Sequence, residues 1–119
     1  MLKNKMNPEV KQKWIDALRS GKYEQGSEKL RSVSGYCCLG VLCDIYSKEN
    51  NIDWTFQGSY GEENVQAMDY WDFEEEDKFP PQSVKKWSEL NDNVIGDLAD
   101  GNDKGYSFNQ IADIIEATL

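Results

Sequence analysis

The chain has 119 residues, 13 Lys and Arg against 22 Asp and Glu, no histidine and a net charge of −9. This length corresponds to one domain with a single hydrophobic core. The apolar content of 39% is too high for a disordered chain, and no apolar run approaches the roughly 20 residues of a membrane helix. The missing histidine excludes Ser-His-Asp and Cys-His nucleophile pairs, histidine general bases and histidine metal ligands.

The three cysteines, Cys37, Cys38 and Cys43, favour a reducing compartment. Their number is odd and no CxxC spacing is present, so neither a disulfide framework nor a zinc site is predicted. The segment 1–8 has no apolar stretch behind its lysines and therefore does not look like a secretory signal. We expect a cytoplasmic protein with buried, unreactive cysteines.

The first third of the chain predicts a helix followed by a short hairpin. Asn7 suits an N-cap, Pro8 the first helical position, and Gly21 the residue that ends the helix. Turn residues at 26–27 and 34–35 favour a hairpin within 22–38. Apolar residues recur between the helix ends at helical spacing, and we expect them to be buried: Val10, Trp14, Ala17 and Leu18.

The middle of the chain predicts a central helix and a small antiparallel sheet. The helix is expected from about Leu39 to Lys48. Strands are expected at 52–56 and, more weakly, at 65–73, with a turn over 58–61. Acidic residues dominate the end of this region, and they predict a solvated, mobile loop over about 69–78.

The last third predicts C-terminal helices. One helix is expected after Pro80-Pro81, and another after the capping box formed by Ser107 and Gln110. Residues 91–104 between them are expected to be irregular. The whole chain, 1–119, is predicted to form a single compact α+β domain with an N-terminal helix, hairpin, central helix, small antiparallel sheet and C-terminal helices.

The net charge is divided unevenly along the chain. Residues 1–48 carry nine Lys and Arg against five acids, whereas residues 49–119 carry four Lys against seventeen acids. The acidic part disfavours long nucleic acids as partners. Two functions remain open on this charge pattern. One is an acidic, DNA-mimicking inhibitor of a host factor that uses 69–77, and the other is a phosphodiesterase built from carboxylates.

Both arginines of the chain lie within thirteen residues of its basic part. Arginine pairs bidentately with phosphate and stacks on flat rings, tyrosine offers an aromatic face, and glutamine can pair with a base edge. This composition predicts a pocket for an anionic nucleotide. The candidate ligand-binding residues are Arg19, Ser20, Lys22, Tyr23, Gln25, Arg31 and Tyr36. A structural alternative is that Arg19 neutralises the helix C-terminus and Arg31 pairs with a carboxylate across a strand.

Two groups of residues resemble a widespread family of small phage-encoded proteins. The more specific group is Trp14, Ala17-Leu18-Arg19-Ser20-Gly21, Tyr23, Gln25-Gly26, Leu30-Arg31 and the run YCCLGVLCD at 36–44. The looser group is Pro80, Val84, Trp87, Leu90, Leu98-Ala99, Asn102-Asp103, Gly105, Ser107-Phe108, Ile111-Ala112 and Ile115-Glu116. With these residues the chain looks like a phage anti-CBASS sponge.

That resemblance implies an immune-evasion protein rather than an enzyme. Such sponges bind the cyclic dinucleotides made by bacterial defence enzymes, such as 3′3′-cyclic GMP-AMP (cGAMP), in the host cell cytoplasm without cleaving them. The resemblance also implies a homo-oligomer, with a tetramer favoured, that has pockets at its subunit interfaces and no turnover. We expect no cofactor, no metal and no membrane contact. Sequestration requires cations and aromatic faces but no general base, so it is compatible with a chain that lacks histidine.

Overall fold

Helices and one small sheet together make up the described part of the chain, which confirms the predicted α+β class. The structure is a computed structural model that describes residues 5–58 and 69–119. Its elements are α1 (Pro8–Arg19), β1 (Arg31–Ser32), β2 (Gly35–Tyr36), α2 (Cys38–Asn50), β3 (Thr55–Gln57), β4 (Tyr70–Asp72), α3 (Gln82–Ser88), α4 (Asp92–Asp103) and α5 (Phe108–Thr118). None of the described helices is long and apolar enough to cross a membrane.

Helix α1 begins and ends where the sequence predicts. The Asn7 side chain accepts hydrogen bonds from two backbone N–H groups of the first turn, and Gly21 has the positive φ that suits the residue after a helix. Trp14 is fully buried, and its indole N–H donates to the Cys38 carbonyl at 2.8 Å. The buried face of α1 packs against α2 and α5. The N-terminal helix therefore lies beside the C-terminal helix.

Helix α2 lies at the centre of the core. Its first seven residues, 38–44, are all buried, which requires contacts on every side rather than along one stripe. A side chain at Gly40 would place its Cβ 1.7 Å from the carbonyl oxygen of Leu30. Glycine is therefore needed for the close approach of the helix to the segment before β1.

The sheet has the strand order β2-β1-β4-β3, and all three pairings are antiparallel. The predicted hairpin is β1–β2, with Arg31 opposite Tyr36 and a turn at 33–34. Residues 59–61 of the predicted turn over 58–61 and residues 65–68 of the predicted strand at 65–73 lie outside the described residues.

The acidic loop expected over about 69–78 is shorter in the structure. Tyr70–Asp72 form β4, an inner strand of the sheet, and Phe73 after it is fully buried. A tight turn comes next, closed by hydrogen bonds of 2.8 and 3.0 Å between the backbones of Phe73 and Glu76. The weaker strand prediction at 65–73 is thus confirmed over 70–72, where the aromatic residues among the acids supply buried area.

Residues 91–104, expected to be irregular, contain helix α4. The Asn91 side chain accepts a hydrogen bond from the Val94 N–H at 2.9 Å and caps the helix. Ile95, Leu98 and Asn102 lie buried along one face. Asn102 occupies an apolar position of the helical pattern, and this polar residue conceals the periodicity in the sequence.

The other two C-terminal helices confirm the prediction. Helix α3 follows Pro80-Pro81 directly, and α5 begins with the predicted capping box. In that box the Gln110 N–H donates to Ser107 Oγ at 3.1 Å, while the Ser107 N–H donates to Gln110 Oε1 at 2.9 Å. The three cysteines are free thiols and are buried, as expected.

Candidate functional site

An open cleft of about 690 Å³ lies between the C-terminal end of α1, the segment after it, and α2. Five of the seven candidate ligand-binding residues line it: Ser20, Lys22, Tyr23, Arg31 and Tyr36. The other lining residues are Asp16, Ala17, Asp44 and Lys48. The fold thus brings together residues that are spread over 33 positions of the sequence.

Arg31 is held over aromatic rings by the register of the sheet. It lies directly opposite Tyr36 on β2 and opposite Trp71 on β4. The guanidinium carbon lies 4.4 Å from the centroid of the Trp71 ring, 5.3 Å from that of Tyr36 and 5.6 Å from that of Trp54. Because side chains directly opposite each other are close neighbours on a sheet face, the strand pairing itself places this cation among the rings.

The charge of Arg31 has no carboxylate partner in the described part of the chain. None of the ion pairs at 4 Å or less that join residues of 5–58 and 69–119 includes it. The alternative prediction placed a carboxylate opposite Arg31 on the neighbouring strand. In the structure the residue opposite it on β4 is Trp71. Stacking covers the flat faces of a guanidinium and leaves its in-plane N–H groups able to donate. Arg31 is therefore a half-buried cation suited to an anionic ligand.

Arg19 lies in a different environment and does not line the cleft. Its Nη2 atom donates to Glu116 Oε1 at 3.0 Å and to Asp113 Oδ1 at 2.7 Å, both on α5. These two hydrogen bonds raise the pKa of Arg19 above its ordinary value. Arg19 thus links α1 to α5, which is a structural role. It does so by pairing with side chains of α5, whereas the alternative prediction expected it to neutralise the C-terminal end of α1.

Gln25 also lies outside the cleft, and its amide is used within the fold. Its Nε2 donates to Asn102 Oδ1 at 3.0 Å and to the Tyr106 carbonyl at 2.7 Å. Its Oε1 accepts from the N–H of Phe108 at 3.0 Å, at the start of α5. The side chain that the sequence predicts to read a base edge therefore joins three segments of the chain instead.

The partner of Gln25, the buried Asn102, extends this arrangement, which we call the Gln25–Asn102 knot. Asn102 Oδ1 also accepts from the N–H of Cys38 at 3.1 Å, and its Nδ2 donates to the Gly26 carbonyl at 2.8 Å. The knot anchors the segment after α1 to the ends of α2, α4 and α5. The segment after α1 thus has two sides. Its inner side is held by Gln25 and Gly26 through these hydrogen bonds, and its outer side contributes Lys22 and Tyr23 to the cleft.

Asp44 is the buried acidic residue of the cleft, and its side chain is 8% exposed. Its Oδ2 accepts from the Tyr23 hydroxyl at 2.6 Å and pairs with Lys48 Nζ at 3.2 Å, while its Oδ1 accepts from the Trp54 indole N–H at 3.1 Å. Burial and then the hydrogen bond to Asp44 raise the pKa of the Tyr23 phenol. Asp44 therefore orients rings from two loops.

The tyrosines of the cleft present their rings at fixed angles. Tyr23 and Tyr36 meet edge to face with centroids 5.0 Å apart, and Tyr36 meets Trp54 edge to face at 6.0 Å. Such pairs are among the preferred aromatic geometries. The wall is thus preorganised rather than assembled from independently rotating side chains.

Asp44 and Lys48 are cleft residues that the sequence reasoning missed. Asp44 directly follows the apolar run 37–43, and Lys48 lies one helical turn further along α2. A charged residue that directly continues such a run is a signal for a buried, partnered carboxylate. That signal is present in the sequence, but it does not reveal which cleft the carboxylate borders.

The cleft combines cations with aromatic faces. Lys22, Arg31 and Lys48 face two carboxylates, those of Asp16 and Asp44, so the charges of the lining sum to a positive value. Elsewhere in the described ranges no group of three Asp, Glu or Cys residues is placed to hold a metal ion. Burial raises the pKa of the Cys37 thiol to about 11, which keeps it protonated at neutral pH. The cations and aromatic rings that line the cleft suit the binding of an anion that contains flat rings.

Comparisons with known proteins identify a family for this chain. No curated protein and no solved structure matches it. The model of a domain of unknown function, DUF8296, matches residues 6–119. Since this match includes the whole cleft and the Gln25–Asn102 knot, the chain belongs to the DUF8296 family.

Proposed function

We propose that this protein binds a cyclic dinucleotide second messenger, such as cGAMP, and sequesters it without cleaving it. The observation that carries the proposal is Arg31, a half-buried cation stacked on rings at a cleft and without a carboxylate partner in the described residues. In this proposal the protein is a phage anti-CBASS sponge that acts in the host cell cytoplasm, as the resemblance of its YCCLGVLCD run implies.

The chemistry of the cleft supports a ligand with phosphates and purines. Arg31 can donate two hydrogen bonds to one phosphate, and Lys22 and Lys48 supply charge for the other. The faces of Tyr23 and Tyr36 can stack on bases. The acidic remainder of the surface repels long nucleic acids but leaves this cleft for a small dianion.

The size of the cleft supports a site completed by a second copy of the chain. Its volume of about 690 Å³ is that of a small-molecule site, yet it is open to solvent on one side. Tight sequestration requires most of the ligand surface to be covered, and a symmetric partner can supply the missing wall. We therefore propose a homo-oligomer, with a tetramer favoured. Light scattering of the purified protein that gives a monomer both with and without ligand would contradict this part.

The two alternative functions have less support. In the acidic segment, Glu74 accepts a hydrogen bond from Ser83, and Asp77 pairs with Lys29 at 2.6 Å, so part of the proposed DNA-mimicking charge is used within the chain. A phosphodiesterase requires a group that activates water. The acids of the cleft are Asp16, which accepts a hydrogen bond from Gln12, and Asp44, which is buried and accepts one from Tyr23, and the chain has no histidine to assist them.

The test is calorimetry with cyclic di- and trinucleotides, followed by recovery of the bound ligand. The complex is heat-denatured, and the supernatant is analysed by chromatography. We expect the ligand to return intact in the amount that was bound. A linear product would instead indicate a hydrolase, and absence of binding to every cyclic nucleotide tested would overturn the proposal.

A further inference from the structure

A carboxylate in the wall of an anion-binding cleft requires an explanation, because it repels phosphate. Asp44 is such a group. It borders the cleft, is buried, and accepts hydrogen bonds from Tyr23 and Trp54. A carboxylate needed only to hold these two donors could be replaced by a neutral amide or a backbone carbonyl. Because it lines the same cleft as Arg31 and the tyrosine rings, its position points to a part of the ligand that donates hydrogen bonds.

The hydrogen bonds of Asp44 leave a defined acceptor capacity. A carboxylate has about four lone-pair positions, two on each oxygen. The Oδ1 atom uses one for the Trp54 N–H, and Oδ2 uses one for the Tyr23 hydroxyl and one for Lys48. If Lys48 leaves, one position is free on each oxygen, which is the arrangement that receives two parallel N–H donors.

Lys48 is the contact of Asp44 that a ligand can displace. Its side chain is 72% exposed, and its Nζ lies 3.2 Å from Asp44 Oδ2 and 5.6 Å from the centroid of the Tyr23 ring, whereas Tyr23 and Trp54 each pack edge to face against Tyr36. Because its ammonium is largely solvated at this exposure, Lys48 loses little when its contact with Asp44 opens. A phosphate entering the cleft offers Lys48 a second anionic partner, so ligand binding itself can uncover the carboxylate.

Guanine is the base whose edge matches the uncovered carboxylate. We propose that Asp44 selects guanine by accepting its N1–H and one N–H of its 2-amino group, one on each oxygen. Adenine presents the N1 lone pair at the same position, which a carboxylate repels. This inference rests on the proposed function, since it assigns one base of the cyclic dinucleotide to the Asp44 side of the cleft.

Cyclic di-GMP, cyclic di-IMP and cyclic di-AMP test the proposal on the wild-type protein. Hypoxanthine keeps N1–H but lacks the 2-amino group, so it removes one of the two donors. We expect the dissociation constant to be lowest for cyclic di-GMP, higher for cyclic di-IMP and highest for cyclic di-AMP. A correct bidentate pair is worth about 5- to 150-fold over the wrong base. Equal affinity for the guanine and adenine ligands would overturn the selection, while the proposed function would stand.

The protein side of the test is Asp44→Asn, with Asp16→Asn as the matched control. Both variants remove one negative charge from the lining of the same cleft, but only the first removes the acceptor pair. We expect Asp44→Asn to reduce the ratio of adenine to guanine dissociation constants by at least 5-fold, and Asp16→Asn to leave that ratio within 2-fold. If Asp44 had only a structural role, Asp44→Asn would reduce the affinity for both ligands equally and leave the ratio unchanged.

The outcomes separate the two proposals. If none of the three ligands binds to the wild-type protein, the proposed function fails. If they bind but Asp44→Asn and Asp16→Asn keep the wild-type ratio, Asp44 is not the selecting residue. Should Asp44→Asn fail to fold, the order of the three ligands on the wild-type protein still decides the inference.

Discussion

Arg19 and Arg31 have the same side chain and lie twelve residues apart, yet their surroundings are opposite. Arg19 donates to two carboxylates of α5 on the surface. Arg31 lies over the rings of Trp71 and Tyr36, with no such partner among the described residues. The residue type therefore predicts the chemistry that a site can use, whereas the partners control whether that chemistry is available to a ligand.

The same contrast divides the two sides of the segment 22–36. Its inner side ends in the Gln25–Asn102 knot, where donors and acceptors are paired with one another. Its outer side forms the cleft, where Arg31 and the tyrosines face open space. Variants on the two sides should therefore separate stability from binding.

The strongest effect is expected from a change on the inner side. Asn102→Ala removes three hydrogen bonds and leaves the buried N–H of Cys38 without its acceptor. Since each buried group without a partner costs about 1–3 kcal/mol, we expect the free energy of unfolding to fall by about 3 kcal/mol or more in urea titrations. Asn93→Ala, at an exposed asparagine of the same helix, is the control and should change it by less than about 0.5 kcal/mol. A similar value for both variants would show that the knot is not a main stabilising feature.

The next effect compares the two arginines directly. Arg31→Ala should weaken cyclic dinucleotide binding by about 1.5–3 kcal/mol, which is the range for hydrogen bonds to charged groups and corresponds to about 10- to 150-fold in Kd. Arg19→Ala should leave Kd within about 2-fold, because its guanidinium is paired outside the cleft. Calorimetry on both variants measures this. Equal losses would place Arg19 in the site as well and remove the contrast.

A pH dependence is expected from the wall of the cleft. Burial first, and then the hydrogen bond to Asp44, raise the pKa of Tyr23 above its ordinary value of 10.0. The folded protein then holds this proton more tightly than the unfolded chain does. The contribution of Tyr23 to stability is therefore constant below about pH 9 and falls as the pH rises through 10, by at most about 1.4 kcal/mol per pH unit.

Tyr23→Phe tests this pH dependence. It should make the decline above pH 10 less steep in urea titrations from pH 8 to 11. A part of the decline should remain, because burial also raises the pKa of Tyr36. An unchanged slope in the variant would contradict the assignment to Tyr23.

The weakest effect is expected at the acidic segment. Asp77→Asn removes a partly exposed ion pair with Lys29 and should lower the free energy of unfolding by about 0.2–1 kcal/mol. Cyclic dinucleotide affinity should stay unchanged, since neither residue lines the cleft. A loss of binding in this variant would indicate that the acidic segment takes part in ligand recognition.

Much of the secondary structure is encoded locally in the sequence. The Asn7 cap, the Ser107–Gln110 capping box and the regular apolar spacing of α1 and α5 are short-range signals, and the structure confirms each one. Helix α4 escaped prediction because Asn102 interrupts its apolar stripe, whereas β4 lies within the strand predicted more weakly at 65–73, where acids surround the aromatic residues.

The cleft shows where local signals end. Sequence alone establishes the residue types of the candidate site, which are two arginines, two tyrosines and flanking lysines in one basic segment, and the structure leaves one of these arginines, Arg19, outside the cleft. Which of them face the same space depends on contacts between residues far apart in the chain: Trp71 opposite Arg31 on neighbouring strands, Asp113 and Glu116 of α5 beside Arg19, and Asp44 of α2 beneath Tyr23. Such partners are set by the packing of whole elements, and no short stretch of sequence encodes them.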